Sequence, residues 1–170
     1  MGEFVVRPAL LSDAARLVKL RRALFAETHF MLLEPKEFRS TAKDEAHRIR
    51  FFEAKSNALL LVAQEGQELV GTLIVSGDEL QRLHHSAALA LGVKQAHWGR
   101  GIASRMIGDA IAWSRGRGIR RLESTVQTNN LRAIGICLRA GFQIEGLRRA
   151  SLAIEGRYVD EYLMSLIADD

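Results

Sequence analysis

Apolar residues recur at intervals of three and four positions in three segments of the chain, and this spacing predicts amphipathic helices. The first helix follows Ser12, which we interpret as its N-cap. The second ends near Gly116, and the third runs from Leu131 to Ala140 with Asn130 as its cap. A further helix is predicted from about Thr41 to Ala54. The apolar stripes consist of Leu17, Leu20, Leu24 and Phe25 in the first helix, Ile102, Ala103, Met106, Ile107, Ala110 and Ile111 in the second, and Leu131, Ile134 and Leu138 in the third.

Apolar runs bounded by turn residues predict strands. The turn segments Glu65 to Glu68 and Glu155 to Gly156 should each join two strands into a hairpin. The strands on either side of the second helix should be parallel neighbours in a right-handed crossover. The segment from Glu27 to Glu34 carries no regular period and is expected to be irregular. The predicted strands are Phe4 to Arg7, Ala58 to Ala63, Leu69 to Val75, Ser86 to Val93, Arg121 to Gln127, Phe142 to Ile154 and Tyr158 to Ile167.

Length and composition favour one globular domain, residues 1–170, because 48% of the 170 residues are hydrophobic and can form a core. The net charge of +4 is too small to indicate a nucleic-acid partner, although it suits a polyanionic small molecule. Cys137 is the one cysteine, which excludes an internal disulfide and favours a reducing compartment. The sequence lacks a membrane-spanning apolar run and a signal peptide's apolar centre, so a cytoplasmic protein without membrane contact is expected.

A glycine-rich turn lies between the strand that ends at Val93 and the second helix. Gly99 and Gly101 lack Cβ atoms, so a ligand can approach the main chain closely there. The N–H groups of the first helical turn point at such a ligand, and the helix dipole favours a negative group. A phosphate or pyrophosphate is therefore the expected ligand.

The third helix carries a second, smaller face beside its apolar stripe. Asn130, Ala133 and Cys137 share this face because they lie at i, i+3 and i+7. Their small side chains leave room for a ligand to lie alongside the helix.

A dinucleotide-binding interpretation also has some support, since Gly99-x-Gly101 precedes a helix and Glu123 follows about 20 residues later. Against it, Ser104 replaces the third glycine and only one parallel crossover is predicted. A phosphate-binding loop of the NTPase kind is excluded, because no Gly-Lys-Ser/Thr follows.

The turn and the helix after it resemble the coenzyme-A-binding motif of the GNAT superfamily of acyl-CoA-dependent N-acetyltransferases. That motif reads Gln or Arg, two residues, Gly, any residue, then Gly or Ala. Gly101 and Ala103 match it, and Trp98 stands where Gln or Arg is usual. The stretch from Thr128 to Phe142 is similar to a second family motif, with Cys137 in place of a tyrosine. The residues that match this second motif are Asn130, Ala133, Gly141 and Phe142.

The resemblance implies a mixed α/β (α+β) fold in which a twisted, mixed seven-stranded sheet is flanked by about four helices and splays between its fourth and fifth strands. Coenzyme A would lie in this opening, and no metal would be required. Asn130 would bond the pantetheine region, and Cys137 would also contact the cofactor. Arg100 would reach a phosphate, although a solvated surface arginine is an open alternative. The backbone contacts would come from Leu91, Gly92 and Val93 for the pantetheine arm and from Gly99, Arg100, Gly101, Ile102, Ala103 and Ser104 for the pyrophosphate.

The implied activity is transfer of an acetyl group from acetyl-CoA to a primary amine of a small molecule or amino acid, by direct attack on the thioester. A fixed N–H on the strand from Leu91 to Val93 would stabilise the oxyanion. Two alternatives stay open: a protein or peptide amine as acceptor, and a non-catalytic acyl-CoA-binding regulator.

Catalytic groups are harder to assign. Cys137 would have to replace the family's tyrosine as proton donor, or else it is a small buried core residue. Thr125 stands where some relatives carry a glutamate that acts as the general base. The candidate bases in this chain are therefore Glu123, Glu27 and His85, and a base that acts through a water molecule is a further alternative. The final hairpin offers a strand edge through which two chains could form a homodimer.

Overall fold

The computed structural model describes residues 3–168, so the ends of the predicted domain, residues 1–2 and 169–170, lie outside the described residues. Four α-helices and seven strands are found in the described part of the chain. The helices are α1 (Ala14–Glu27), α2 (Ala42–Ala54), α3 (Ile102–Arg115) and α4 (Leu131–Arg139). The strands are β1 (Phe4–Pro8), β2 (Ala58–Glu65), β3 (Glu68–Gly77), β4 (Ser86–Val93), β5 (Arg121–Gln127), β6 (Gln143–Ile154) and β7 (Arg157–Ile167).

The strands form one sheet in the order β1-β2-β3-β4-β5-β7-β6. The pair β4 and β5 is parallel, and the other neighbouring pairs are antiparallel. The parallel pair is joined through α3, and the two predicted hairpins are β2–β3 and β6–β7. The predicted mixed seven-stranded sheet is therefore confirmed.

The sheet opens between β4 and β5. These strands pair through three residue pairs, Ser86 with Arg121, Ala87 with Leu122 and Ala88 with Glu123. Beyond them β4 continues to pair with β3 as far as Val93, and β5 continues to pair with β7 as far as Gln127. The carboxyl halves of β4 and β5 thus diverge, as the family resemblance implies, and each is held by its other neighbour.

Helices cover both faces of the sheet, because successive side chains of a strand point to opposite faces. On β2, Leu60 and Val62 pack with α1 and α2, whereas Leu59 and Leu61 pack on the side of α3. Met106 is fully buried in the α3 layer. Each buried side chain of this size contributes about 1.5–3 kcal/mol to folding, so the two layers fix the sheet that carries the opening.

Two predictions about α1 were wrong. Ser12 lies inside a short 3-10 turn, Leu11–Asp13, and the N-cap of α1 is Asp13. The buried Asp13 carboxylate accepts a hydrogen bond from the Leu10 N–H and two from Arg7, so an ion pair replaces a serine cap at this end. Glu27, placed in an irregular segment by the sequence, is the last residue of α1.

The apolar face of α4 also differs from the prediction. Leu131 is 77% exposed and Leu138 is 48% exposed, whereas Ile134 and Cys137 are buried. The side of α4 that faces the sheet carries Ile134 and Cys137, one residue from each of the two faces predicted from the sequence. The larger leucines therefore point to solvent.

Within residues 3–168, none of the helices is long and apolar enough to span a lipid bilayer.

Candidate active site

Two adjoining cavities occupy the opening between β4 and β5. The larger has a volume of about 590 Å³ and the smaller about 110 Å³. Both are lined by Leu91 and Gly92 of β4 and by Asn130 and Ala133 at the start of α4. The larger cavity is also lined from both faces of the sheet, by Arg21, Phe25 and Arg48 on one side and by Ile107 and Cys137 on the other. It therefore passes through the sheet, so that two molecules can meet there from opposite faces.

The glycine-rich turn lies at the smaller cavity, which Ala103 lines. Gly99 and Gly101 adopt left-handed conformations, with φ of 77° and 79°, which side chains other than glycine rarely adopt. Gly101 is the N-cap of α3, and the N–H of Arg105 donates to its carbonyl at 3.0 Å. The N–H groups of Ile102 and Ala103 precede this bond and so have no intrahelical acceptor. The turn presents the amides that an anionic ligand requires.

Trp98 closes the turn against the end of β4. Its indole Nε1–H donates to the carbonyl of Val93 at 2.7 Å, and the Arg132 guanidinium lies 5.0 Å from the ring centroid. The residue therefore has a packing role at the wall of the smaller cavity, which it also lines.

Arg100 binds a protein carboxylate. Its guanidinium donates to both oxygens of Glu65, at 2.7 Å and 3.0 Å, and His97 Nε2 lies 3.0 Å from Glu65 Oε2. These hydrogen bonds lower the pKa of Glu65, and the same carboxylate raises the pKa of Arg100. The structure thus directs this side chain to the end of β2.

Asn130 and Cys137 both contribute to the cavity walls. The Asn130 side chain accepts the N–H of Ala133 at 3.1 Å and so caps α4, as predicted. Cys137 is 6% exposed and lines the larger cavity. Burial raises the pKa of its thiol, so the group is protonated near neutral pH.

The wall on the α1 side is anchored to the sheet. Gln127 of β5 donates its side-chain N–H to the carbonyl of His29 at 2.7 Å, which ties the segment after α1 to the edge of the opening. At Gly92 a Cβ atom would lie 2.8 Å from Leu24 Cδ1, so a small residue is required where α1 crosses β4. The hydrogen bond fixes the segment after α1 against β5, and the lack of a side chain at Gly92 lets Leu24 of α1 approach β4 closely.

Residues 22–142 match the model of the family described as "Acetyltransferase (GNAT) family". The chain belongs to the GNAT acetyltransferase family. The resemblance noted in the sequence is thereby confirmed, and the protein is an acyltransferase whose general activity is acetyl-CoA-dependent acetylation.

Individual relatives agree with this membership. The chain is similar to a GNAT acetyltransferase of Streptococcus pneumoniae, with 29% identity, a TM-score of 0.94 and coverage of 98% of this chain and 100% of the other. It is 32% identical to the L-amino acid N-acetyltransferase AaaT of Escherichia coli (strain K12) over 63% of this chain and 67% of the relative. The fold also matches a phosphinothricin acetyltransferase of Sinorhizobium meliloti in complex with acetyl-CoA, with a TM-score of 0.85, 16% identity and coverage of 97% and 89%.

The candidate bases of this GNAT chain lie apart from one another. Glu27 lines the smaller cavity, but its carboxylate accepts the N–H of Gln95 at 2.7 Å. His85 is exposed, and Glu123 is exposed and accepts a hydrogen bond from Arg121. Among the described residues, the walls of the two cavities include neither of them. Cys137 therefore lines the larger cavity, whereas Glu27, His85 and Glu123 do not.

One carboxylate that sequence reasoning missed does line the larger cavity. Glu161 of β7 is 7% exposed, and its Oε2 accepts a hydrogen bond from Ser151 Oγ at 2.5 Å and a longer one, 3.4 Å, from Arg148. Thr125, at the position where some relatives carry a base, lines the same cavity. The sequence signal for Glu161 is a charged residue within a predicted strand. That signal does not place Glu161 in the site, because only the pairing of β7 with β5 brings it opposite Gln127 at the opening.

No group of three side chains suited to metal binding exists within residues 3–168.

Proposed function

We propose that this GNAT protein, as a single N-acetyltransferase domain, transfers the acetyl group of acetyl-CoA to the primary amine of a small molecule or amino acid. The observation that carries the proposal is the larger cavity, which passes through the sheet and is lined from both faces. Its volume of about 590 Å³ lies within the range that small-molecule sites occupy, about 300–1,000 Å³.

The glycine-rich turn is the proposed site of the coenzyme A pyrophosphate. A Cβ at Gly99 or Gly101 would meet no heavy atom within 4 Å, so the space over the turn is open to a ligand. The amides of residues 99–104 would bind the phosphate oxygens. The β4 backbone from Leu91 to Val93 faces the opening and would pair with the pantetheine arm, while Asn130 would bond that arm from α4.

Acetyl transfer requires a neutral amine. A lysine-type amine has a pKa of about 10.4 and is protonated near neutral pH, so it must first lose a proton. Glu161 is the proposed proton acceptor, because it is the buried carboxylate on the cavity wall. The amine nitrogen then forms a bond to the thioester carbonyl carbon, and a β4 N–H stabilises the oxyanion. The carbon–sulfur bond breaks as the nitrogen releases its second proton to solvent, which gives the amide and coenzyme A thiolate.

Cys137 is proposed to form part of the wall beside this reaction. A thiolate is already a stable leaving group near neutral pH, so its departure requires little assistance from an acid. The raised pKa keeps the Cys137 thiol protonated and poorly nucleophilic, which prevents it from competing with the amine.

A small acceptor is favoured over a protein amine because the larger cavity is bordered by the segment after α1, including Leu32 and Leu33. The relative AaaT is named an L-amino acid N-acetyltransferase, which supports an amino acid as acceptor.

Thiol release from acetyl-CoA over a panel of amino acids, polyamines and peptide amines tests this function. Turnover of at least one small amine is expected. Calorimetry with acetyl-CoA is run in parallel: binding without turnover on every acceptor would favour the regulator, and no binding would remove the acetyltransferase assignment.

A homodimer is also proposed, formed through β6. This strand lies at the edge of the sheet and carries exposed apolar side chains at Ile144 and Leu147. Light scattering at increasing concentration should detect a dimer, and a monomer at every concentration would contradict it.

A further inference from the structure

Two arginines line the larger cavity on the face of the sheet covered by α1 and α2. They are Arg21 of α1 and Arg48 of α2. Aromatic rings hold both side chains in place: the Arg21 guanidinium lies 5.0 Å from the Phe38 ring centroid, and that of Arg48 lies 5.3 Å from the Phe52 ring centroid. Two guanidinium groups are thus fixed on one wall before any ligand arrives.

The two arginines share one protein carboxylate, Glu45, whose side chain is 1% exposed. Glu45 Oε1 accepts hydrogen bonds from Arg21 and from Ser40. Glu45 Oε2 lies 4.0 Å from Arg48 Nε, which is beyond hydrogen-bond distance. One negative charge therefore faces two positive charges, and one positive charge is left without compensation at the cavity.

The protonation equilibrium of Arg48 agrees with this excess. Burial, and after it the positive charge of Arg21, lower the pKa of Arg48. Within residues 3–168, the charge contact made by the Arg48 guanidinium is the one to Glu45, besides its contact with the Phe52 ring. Its remaining donors are available to an oxyanion in the cavity.

The only acidic residue on the described wall of this cavity is Glu161, which reaches it from β7. The wall thus carries a cationic region at Arg21 and Arg48 and a separate anionic group. This distribution suits an acceptor with a positive amine and a negative group on the same molecule.

We propose that Arg21 and Arg48 form a subsite for a carboxylate of the acceptor, so that the substrate class is amines bearing a carboxylate, that is, amino acids. The inference rests on the proposed function and deepens it. A planar guanidinium can donate two parallel hydrogen bonds to a carboxylate, and such pairs give orientation as well as affinity. The carboxylate held on the α1 and α2 side leaves the amine directed into the opening between β4 and β5.

The test compares each amino acid acceptor with its own carboxamide, which keeps the amine and the side chain but removes the negative charge. Wild-type kcat/KM should favour the acid by at least about tenfold, the range expected for a charge-assisted hydrogen bond. Arg48→Gln should abolish this preference by raising KM for the acid while leaving the carboxamide unchanged. Arg48→Lys should retain a part of it, because it keeps the charge and loses the bidentate geometry.

Arg50→Gln is the matched control, since Arg50 is an exposed arginine of the same helix. It should behave as the wild type. Equal kcat/KM for acid and carboxamide in the wild type, or an Arg48→Gln preference equal to that of Arg50→Gln, would overturn the subsite and leave the acetyltransferase function standing.

A binding measurement separates the subsite from the reaction. Calorimetry with an N-acetyl amino acid and with its carboxamide requires no turnover. If Arg48→Gln weakens binding of the acid by at least about tenfold, the subsite is supported even where no acceptor releases thiol. The absence of thiol release would remove only the proposed function. Equal binding of acid and carboxamide by the wild type contradicts the subsite.

Discussion

Arg100 and Glu65 form a two-point ion pair that ties the glycine-rich turn to the last residue of β2, with distances of 2.7 Å and 3.0 Å. The sequence left Arg100 with two possible roles, a phosphate contact or a solvated surface residue. The structure instead uses its charge within the protein, beside His97, which contacts the same carboxylate. The turn is thereby fixed before coenzyme A binds.

Glu65→Gln should raise KM for acetyl-CoA by about two- to fivefold with little change in kcat, because a partly exposed ion pair contributes only modestly to local order. The loss of the charge lets the turn sample other conformations, so fewer molecules present the amides correctly. Steady-state kinetics with varied acetyl-CoA measures the effect. Glu68→Gln is the control, since the Glu68 pair with Lys94 is more exposed. A lower KM in Glu65→Gln would show that the released Arg100 binds a phosphate after all.

Much of the fold follows from local patterns. The periods of Leu17 to Phe25 and of Ile102 to Ile111 predict α1 and α3, and Thr41 caps α2 where expected, accepting the N–H of Asp44. The opening of the sheet was predicted only through the family resemblance, because no local signal states where β4 and β5 part. The exposure of Leu131 was missed for a similar reason: the side that α4 buries depends on the opening beneath it.

The residues of the candidate site also fall into two groups, those that local sequence predicts and those that only long-range packing places. Gly101 and Asn130 were predictable, since backbone conformation and helix capping are local properties. Glu161 was not, because its place on the cavity wall depends on the pairing of β7 with β5 across a long sequence separation. Arg48 was missed for the same reason, as α2 reaches the cavity only by packing beside α1.

Gly101→Ala should weaken the affinity for coenzyme A at least about tenfold and lower stability by about 1 kcal/mol or more, because φ of 79° is unfavourable for alanine. The open space over Gly101 means that strain, not a clash, causes the loss. Calorimetry with coenzyme A and thermal unfolding measure the two effects.

Gly108→Ala is the matched control inside α3, where a Cβ meets no heavy atom within 4 Å. It should stabilise the protein by about 0.5–1 kcal/mol and leave coenzyme A affinity unchanged. Equal affinity in both variants would exclude the turn from pyrophosphate binding.

The Glu145 carboxylate makes the free energy of unfolding depend on pH in the acid range. Hydrogen bonds from Arg121, then Ser165, lower the pKa of Glu145 from 4.5 to about 2. A lowered folded-state pKa means that the stabilisation is present above the ordinary value and is lost as pH falls from about 4.5 toward 2. Denaturant midpoints between pH 6 and pH 3 should therefore fall less steeply in Glu145→Gln than in the wild type. Glu53→Gln, at an exposed position of α2, should keep the wild-type slope.

Cys137 should react slowly with iodoacetamide near neutral pH, since burial raises the pKa of the thiol and the thiolate is the reactive form. Coenzyme A should slow the reaction further, and mass spectrometry of the labelled protein follows it. Cys137→Ala should keep kcat within about threefold, below the effect of losing a general acid. A fall of about a hundredfold or more would instead assign it the role of proton donor to the leaving thiolate.

Glu161→Gln tests the proposed base. Removal of a general base typically lowers the rate by about 10²–10⁴, so kcat should fall by that range while the affinity for acetyl-CoA stays unchanged. Stopped-flow thiol release measures the chemical step directly. Ser151→Ala is the control: it removes the hydroxyl that donates to Glu161 but keeps the carboxylate, so a loss of about fivefold is expected. If Glu161→Gln keeps kcat within that smaller range, proton removal must pass through water or through Glu27, which lines the smaller cavity.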